Sequence, residues 1–162
     1  MSIGDINSKE LGSGARFNDG KVMLEYIPTS VFMLQFENLE LSREIRESLE
    51  SFSHYESEGF LNSLHDSLHY LIDIDGWKPC CDVFHYGAQK YAAWNWTKGM
   101  SWSVVKACYL RHMYAIINGE EIDEESGLPH IGHAMCNLVM LCYFVDNYPQ
   151  GDDLMRSIGT EA

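Results

Sequence analysis

Polar side chains able to bind a metal ion gather between residues 111 and 137, where an acidic loop separates two apolar helical segments. The first segment carries Arg111 and His112. The second carries three polar side chains whose spacing places them on one helical face: His130, His133 and Asn137. The loop holds five carboxylates: Glu120, Glu121, Asp123, Glu124 and Glu125. Crowded carboxylates repel one another unless a cation relieves them, so the region predicts a divalent metal site that acts on phosphoryl groups.

An antiparallel hairpin closed by this loop would bring the two segments together. We expect His112 to lie across from His133 or Asn137, with the acidic loop over His130. The side chains expected to ligate the metal or to activate water are Glu120, Asp123 and Glu125, with His133 as a further catalytic candidate. The groups expected to ligate the metal or to orient its ligands are His112, His130, His133 and Asn137. Two alternatives stay open, a hydrogen-bonded core for the helical face and a solvated turn for the loop.

A second acidic pattern runs along residues 37–50, where glutamates recur at helical spacing beside a stripe of apolar residues. Glu44 and Glu47 form an E-x-x-E pair, which places two carboxylates on one helical face and makes them secondary metal candidates. The same pattern is typical of a surface helix, in which Arg43 and Arg46 favour local ion pairs. Both interpretations are open from the sequence.

The dipeptide His65-Asp66 suggests an alternative metal site, because HD-type phosphohydrolases ligate metal through such a pair. His54 and Asp146 would supply the remaining ligands. This alternative predicts the release of triphosphate from a nucleotide rather than pyrophosphate.

Basic and aromatic side chains alternate in the segment 85–99 of this acidic chain. Aromatic faces stack on nucleobases and cations bind phosphate, so the segment predicts a nucleotide site. The residues expected to contact the base and the sugar are Trp94, Asn95 and Trp96. The cations expected to neutralise a triphosphate are Arg16, Lys21, Lys90, Lys98 and Arg111. Packing of the aromatic side chains in the core is the alternative.

Helices must position these side chains, because apolar residues recur at helical spacing and only residues 22–27 resemble a strand. We expect an all-α bundle of four to five helices with antiparallel neighbours, preceded by a helix start near Thr29 or Ser30. The helices would span residues 37–52, 60–74, 82–91, 101–118 and 130–148. The expected domain organisation is a flexible N-terminus over 1–13, a single domain over 14–149 and a polar tail over 150–162.

The bulk composition limits the function classes. The 162 residues are enough for one domain with a core, and the formal net charge is -13. That charge argues against polymeric nucleic acid as a partner, whereas a metal-bound nucleotide is compatible with it. No apolar run approaches the roughly 20 residues of a membrane span, so no membrane partner is expected. The five cysteines fit no zinc-finger spacing, which favours a reducing cytoplasm.

Three ordered blocks of the sequence resemble a phage-encoded family of dATP/dGTP diphosphohydrolases. They are G-A-R-F-N-D-G-K at 14–21, Y-G-A-Q-K-Y with N-W-T-K-G at 86–99, and the block from R-H-M-Y-A to H-A-M-C-N at 111–137. The family is similar to the all-α, MazG-like pyrophosphohydrolases and to the MazZ-type enzymes of cyanophages that use 2-aminoadenine. Between residues 28 and 82 this chain carries a segment that the usual family pattern lacks. The resemblance therefore bears on the reaction more than on the metal ligands.

The resemblance implies a MazG-like fold and a Mg²⁺-dependent (d)NTP pyrophosphohydrolase, with Mn²⁺ able to substitute. The substrate would be a purine deoxynucleoside triphosphate, with dGTP or GTP preferred, and the products (d)GMP and pyrophosphate. The dGMP would supply synthesis of the 2-aminoadenine nucleotide in a phage. A homodimer or homotetramer in the cytoplasm of the host cell is also implied. The alternatives are an HD-type triphosphohydrolase and a non-catalytic module that binds a nucleotide or a metal.

Overall fold

The computed structural model describes residues 10–14 and 20–159, which form a bundle of α-helices. The helices within these residues are α1 (Thr29–Phe32), α2 (Arg43–Glu58), α3 (Leu61–Asp75), α4 (Lys78–Lys90), α5 (Trp102–Ile117) and α6 (His130–Asn147). Short 3-10 turns lie at Met33–Phe36, Asn95–Lys98, Pro149–Gly151 and Met155–Gly159. In the described part of the chain, β-type pairing is limited to one isolated bridge between Ile122 and Pro129. The all-α class predicted from the sequence is confirmed, and the five long helices are consistent with a MazG-like bundle.

Two helical pairs build the bundle, since α2 packs against α3 and α5 packs against α6. Helices α3 and α4 also contact α6, which places α6 at the centre. Most residues of α5 and α6 are buried, as expected for helices that are apolar around most of their circumference. Among the described residues, no helix has the length and the hydropathy needed to span a membrane.

Helix α2 begins at Arg43, six residues later than the sequence predicts. The hydroxyl oxygen of Ser42 accepts a hydrogen bond from the Ile45 N–H at 3.3 Å, which caps the helix at this point. Glu37 and Glu40 therefore lie before the helix, and the predicted stripe of glutamates is shorter than expected. The apolar stripe that includes Leu49 and Phe52 is buried as predicted.

Helix α4 begins at Lys78, four residues before the predicted start at Asp82. The predicted start at Asp82 placed Pro79 before the helix. Pro79 instead lies in the first turn, where the backbone nitrogen has no intrahelical acceptor and proline is tolerated.

The chain after Pro149 packs on the bundle, although a polar, frayed tail was expected. The side chain of Leu154 is 1% exposed and belongs to the core. Arg156 donates to the backbone oxygen of Glu56 and lies over the ring of Tyr55. At the other end, the predicted flexible segment 1–13 falls mostly outside the described residues, and Gly12 donates its N–H to the Lys98 oxygen.

Candidate metal and nucleotide site

A cavity of about 610 Å³ is bounded by α4, α5, α6, the segment 91–96 and the loop between α5 and α6. This volume is in the range of small-molecule sites. The sequence-predicted site residues that line it are Lys21, Lys90, Trp94, Asn95, Trp96, Arg111, His112, Asp123, Glu125, His133 and Asn137. The structure therefore brings most of the predicted residues to one place.

The pairing of α5 with α6 places three imidazoles together. The ring of His112 stacks on that of His133, with ring centroids 4.5 Å apart and an interplanar angle of 11°. The Nδ1 atom of His112 lies 2.9 Å from the Nδ1 atom of His130, whose side chain is buried. The predicted position of His112, across from His133, is confirmed.

Asp123 anchors the acidic loop against α6 through Ser126. One carboxylate oxygen of Asp123, Oδ2, accepts hydrogen bonds from the Ser126 N–H at 3.0 Å and hydroxyl at 2.8 Å. The same hydroxyl oxygen lies 2.7 Å from Nε2 of His133. Because the serine has one hydroxyl proton and the carboxylate can only accept, His133 must donate from Nε2. The hydrogen bonds of Ser126 thereby fix a proton on Nε2 of His133.

Ser126 was not among the site residues predicted from the sequence. Its spacing of three residues after Asp123 is the pattern of a carboxylate that accepts from a backbone N–H in a turn. That pattern was visible in the D-E-E-S segment of the sequence. The hydrogen bond between Ser126 and His133 could not be read from that segment, because it depends on the path of the loop.

His112, Asp123 and His130 form a group of candidate metal ligands. Each offers one ligand atom, and these atoms lie within 4.8 Å of one another; no other such group of three occurs in the described residues. Two facing Nδ1 atoms at 2.9 Å need either a proton or a cation between them. Two imidazoles and a carboxylate suit Mn²⁺ and related ions better than Mg²⁺, which prefers oxygen ligands. The side chains present therefore fit a divalent transition metal.

The other predicted metal ligands are not part of this group of three. A carboxylate oxygen of Glu120 is 3.7 Å from Nε2 of His130, and the Glu120 side chain is mostly exposed. Asn137 is buried and its amide nitrogen donates to the His133 backbone oxygen at 2.8 Å. Glu44 and Glu47 lie on α2 and are not among the residues that line the cavity.

Glu125 forms ion pairs with two lysines that are predicted to bind phosphate. One carboxylate oxygen lies 2.8 Å from the Lys90 ammonium, and the other lies 3.3 Å from that of Lys21. The hydrogen bond from Lys90 lowers the pKa of Glu125, the charge of Lys21 lowers it further, and burial opposes the change. Burial lowers the pKa of Lys90, but the hydrogen bond to Glu125 and nearby charges more than compensate, so that it is raised.

The segment Trp94–Trp96 forms an aromatic and amide wall of the cavity. Trp94 is 73% exposed and has a left-handed backbone with φ of 63°, a conformation rare outside glycine. Trp96 packs against Phe84 and Tyr143. Asn95 is 5% exposed, and its amide nitrogen and oxygen have no hydrogen-bond partner among the described residues.

The remaining cations differ in their positions. Arg111 donates to the backbone oxygen of Val22 at 3.0 Å and to the sulfur of Cys108 at 2.9 Å, on the cavity wall. Lys98 is not among the lining residues. Arg16 lies outside the described residues.

The HD-type alternative finds no matching geometry. His65 and Asp66 are both exposed on α3. His54 and Asp146 are exposed as well, and none of the four lines the cavity. They form no group of three or more potential metal ligands in the described part of the chain.

Comparison with known proteins identifies the family of the chain. No solved structure matches it. A protein of Salmonella phage PMBT28 named "dATP/dGTP diphosphohydrolase" is 30% identical over 83 residues, which are 51% of this chain and 28% of that relative. This chain therefore matches little more than a quarter of the length of the relative. The family model described as "dATP/dGTP diphosphohydrolase, N-terminal" matches residues 69–154, just over half of the chain. The chain belongs to this dATP/dGTP diphosphohydrolase family.

Proposed function

We propose that this chain is a metal-dependent pyrophosphohydrolase of purine deoxynucleoside triphosphates, dGTP being preferred to dATP. The observation that carries the proposal is the convergence of His112, Asp123 and His130 beside a cavity lined by cations and aromatic side chains. The family and the name of the phage relative support the substrate class. The dGMP product would supply synthesis of the 2-aminoadenine nucleotide.

The metal would be held by His112, Asp123 and His130, with Glu120 orienting His130. When bound, Mn²⁺ or Mg²⁺ supplies positive charge to the phosphate oxygens and makes a bound water more acidic. His133 lines the cavity and is the proposed general base. The oxygen of the attacking water would bond to the α-phosphorus, and the same phosphorus would lose its bond to the oxygen that bridges it to the β-phosphate. Pyrophosphate then leaves, and the water proton passes to His133.

The rest of the cavity suits a nucleotide. Lys21, Lys90 and Arg111 supply positive charge for the triphosphate. The Asn95 amide offers one donor side and one acceptor side, which is the combination that reads the edge of a purine. An unsatisfied buried polar group costs about 1–3 kcal/mol, so a base that bonds to Asn95 gains that free energy.

Product analysis tests the proposal. The protein is incubated with each of the four dNTPs, with Mn²⁺, with Mg²⁺ or with EDTA, and the products are separated by ion-exchange chromatography. We expect metal-dependent release of pyrophosphate and the monophosphate from dGTP and dATP. Release of triphosphate and a deoxynucleoside would support the HD-type alternative instead. Nucleotide binding without turnover would support the non-catalytic module.

A further inference from the structure

The ion pairs of Glu125 join three distant parts of the chain. Lys21 precedes α1, Lys90 ends α4, and Glu125 belongs to the loop between α5 and α6. Each carboxylate oxygen contacts one ammonium group, at 2.8 Å for Lys90 and 3.3 Å for Lys21. All three side chains line the cavity and are partly exposed, at 31% for Lys90, 35% for Lys21 and 43% for Glu125. The carboxylate therefore lies between two cations on the wall of the candidate site.

Two converging lysines are a site for an anion. The chain has 11 Lys and Arg residues against 24 Asp and Glu residues, so cations on one cavity wall are scarce. The Lys90 ammonium also lies 5.9 Å from the ring centroid of Tyr86 and 5.4 Å from that of Tyr91, which restrict its position. Lysine binds phosphate as a point charge, and a phosphate presents neighbouring oxygens much as a carboxylate does.

We propose that Lys21 and Lys90 form a subsite for a phosphate group of a polyphosphate, which Glu125 occupies until the phosphate displaces it. This inference rests on the proposed function, in which the cavity takes a nucleoside triphosphate. Ion pairs with this degree of exposure are weak, so a polyanion competes with them effectively. A carboxylate that holds the subsite lowers the apparent affinity for the phosphate, because only the open fraction binds. Glu125 is thereby assigned to the phosphate subsite and not to the metal.

The test measures inorganic pyrophosphate binding to the full chain by isothermal titration calorimetry in EDTA, so that no metal contributes. The Glu125→Gln variant removes the competing charge and is expected to bind pyrophosphate about three- to tenfold more tightly than the wild type. Glu124→Gln is the matched control, because it removes the same charge one residue away. Glu124 is exposed, and its side chain makes no hydrogen bond or ion pair within the described residues. Its affinity should stay within about twofold of the wild type.

Two further variants test whether the gain depends on the Glu125 carboxylate and on Lys90. Glu125→Ala should give the same gain as Glu125→Gln, and adding Lys90→Met to Glu125→Gln should remove it. Equal affinities for Glu125→Gln and Glu124→Gln, or weaker binding by Glu125→Gln, would overturn the inference. Because binding is measured without turnover, a gain in Glu125→Gln sustains the subsite even if no dNTP is hydrolysed. Hydrolysis of dNTPs without that gain would reject the subsite alone.

Discussion

The pair α2–α3 and the pair α5–α6 both enclose polar groups that bond to one another, but those at the end of α5–α6 lie beside the cavity and those between α2 and α3 do not line it. Between α2 and α3, the Ser48 and Ser67 hydroxyls lie 3.1 Å apart, and that of Tyr109 lies 2.8 Å from Ser48. All three side chains are buried, and burial raises the pKa of Tyr109, so its hydroxyl stays protonated. At the end of α5–α6, the buried and half-buried polar groups also contact one another, but they do so beside the cavity.

Residue type alone does not separate the two regions, since each carries histidines and carboxylates. On α2 and α3 most of these groups are exposed, as His65 and Asp66 are, and the buried Glu56 is paired with Lys106. At the end of α5–α6, His112 and Asp123 face the cavity and approach His130. Convergence on a cavity, more than the presence of ligand-type residues, marks the candidate site.

The largest effect is expected from Asp123→Asn, which removes the charge of the proposed carboxylate ligand. Metal catalysis is worth several kcal/mol, so the rate of pyrophosphate release from dGTP should fall about a hundredfold or more. His65→Ala, on α3, should leave the rate within about twofold of the wild type, because its side chain is outside the cavity. A larger loss in His65→Ala than in Asp123→Asn would reverse the comparison of the two regions.

Next in size is the stability effect of Lys106→Met. The Lys106 ammonium is buried in an ion pair with Glu56 on α2, and Glu56 also accepts from the Thr29 N–H at 2.8 Å. Loss of the ammonium leaves a buried carboxylate without its cation, so the free energy of unfolding should fall by about 3–5 kcal/mol. Urea denaturation measures it. Lys78→Met, which breaks an exposed pair with Asp82, is the control and should change little; equal losses would contradict this account.

The smallest effect is expected from Tyr109→Phe, in the polar cluster between α2 and α3. Ser48 and Ser67 keep their mutual hydrogen bonds, so the free energy of unfolding should fall by only about 0.5–1.5 kcal/mol. The rate of pyrophosphate release should not change. A fall in the rate of pyrophosphate release by the folded variant would show that this cluster also serves catalysis.

The helices could be predicted where apolar residues recur at helical spacing, as in α3, α5 and α6. The start of α2 could not, because the helical spacing continues back to Glu37 and only the hydrogen bond to Ser42 fixes the boundary. The burial of Leu154 was missed, since a single apolar residue in a polar tail carries no period.

The candidate site was predictable to the extent that it follows from one hairpin. The spacing of His130 and His133, and a short loop back to His112, were enough to predict their proximity. The contacts of Glu125 with Lys21 and Lys90 depend on how distant parts of the chain meet. The sequence therefore indicated the residue types at the site more fully than their partners.

The affinity for Mn²⁺ distinguishes the two regions as metal sites. Mn²⁺ is titrated into the wild type, His112→Ala and the double variant Glu44→Gln/Glu47→Gln, and the loss of its free EPR signal gives the affinity. We expect the double variant on α2 to bind Mn²⁺ as the wild type does, and His112→Ala to bind it about tenfold more weakly or worse. Binding that survives in His112→Ala and is lost in the double variant would contradict the placement of the metal at the end of α5–α6.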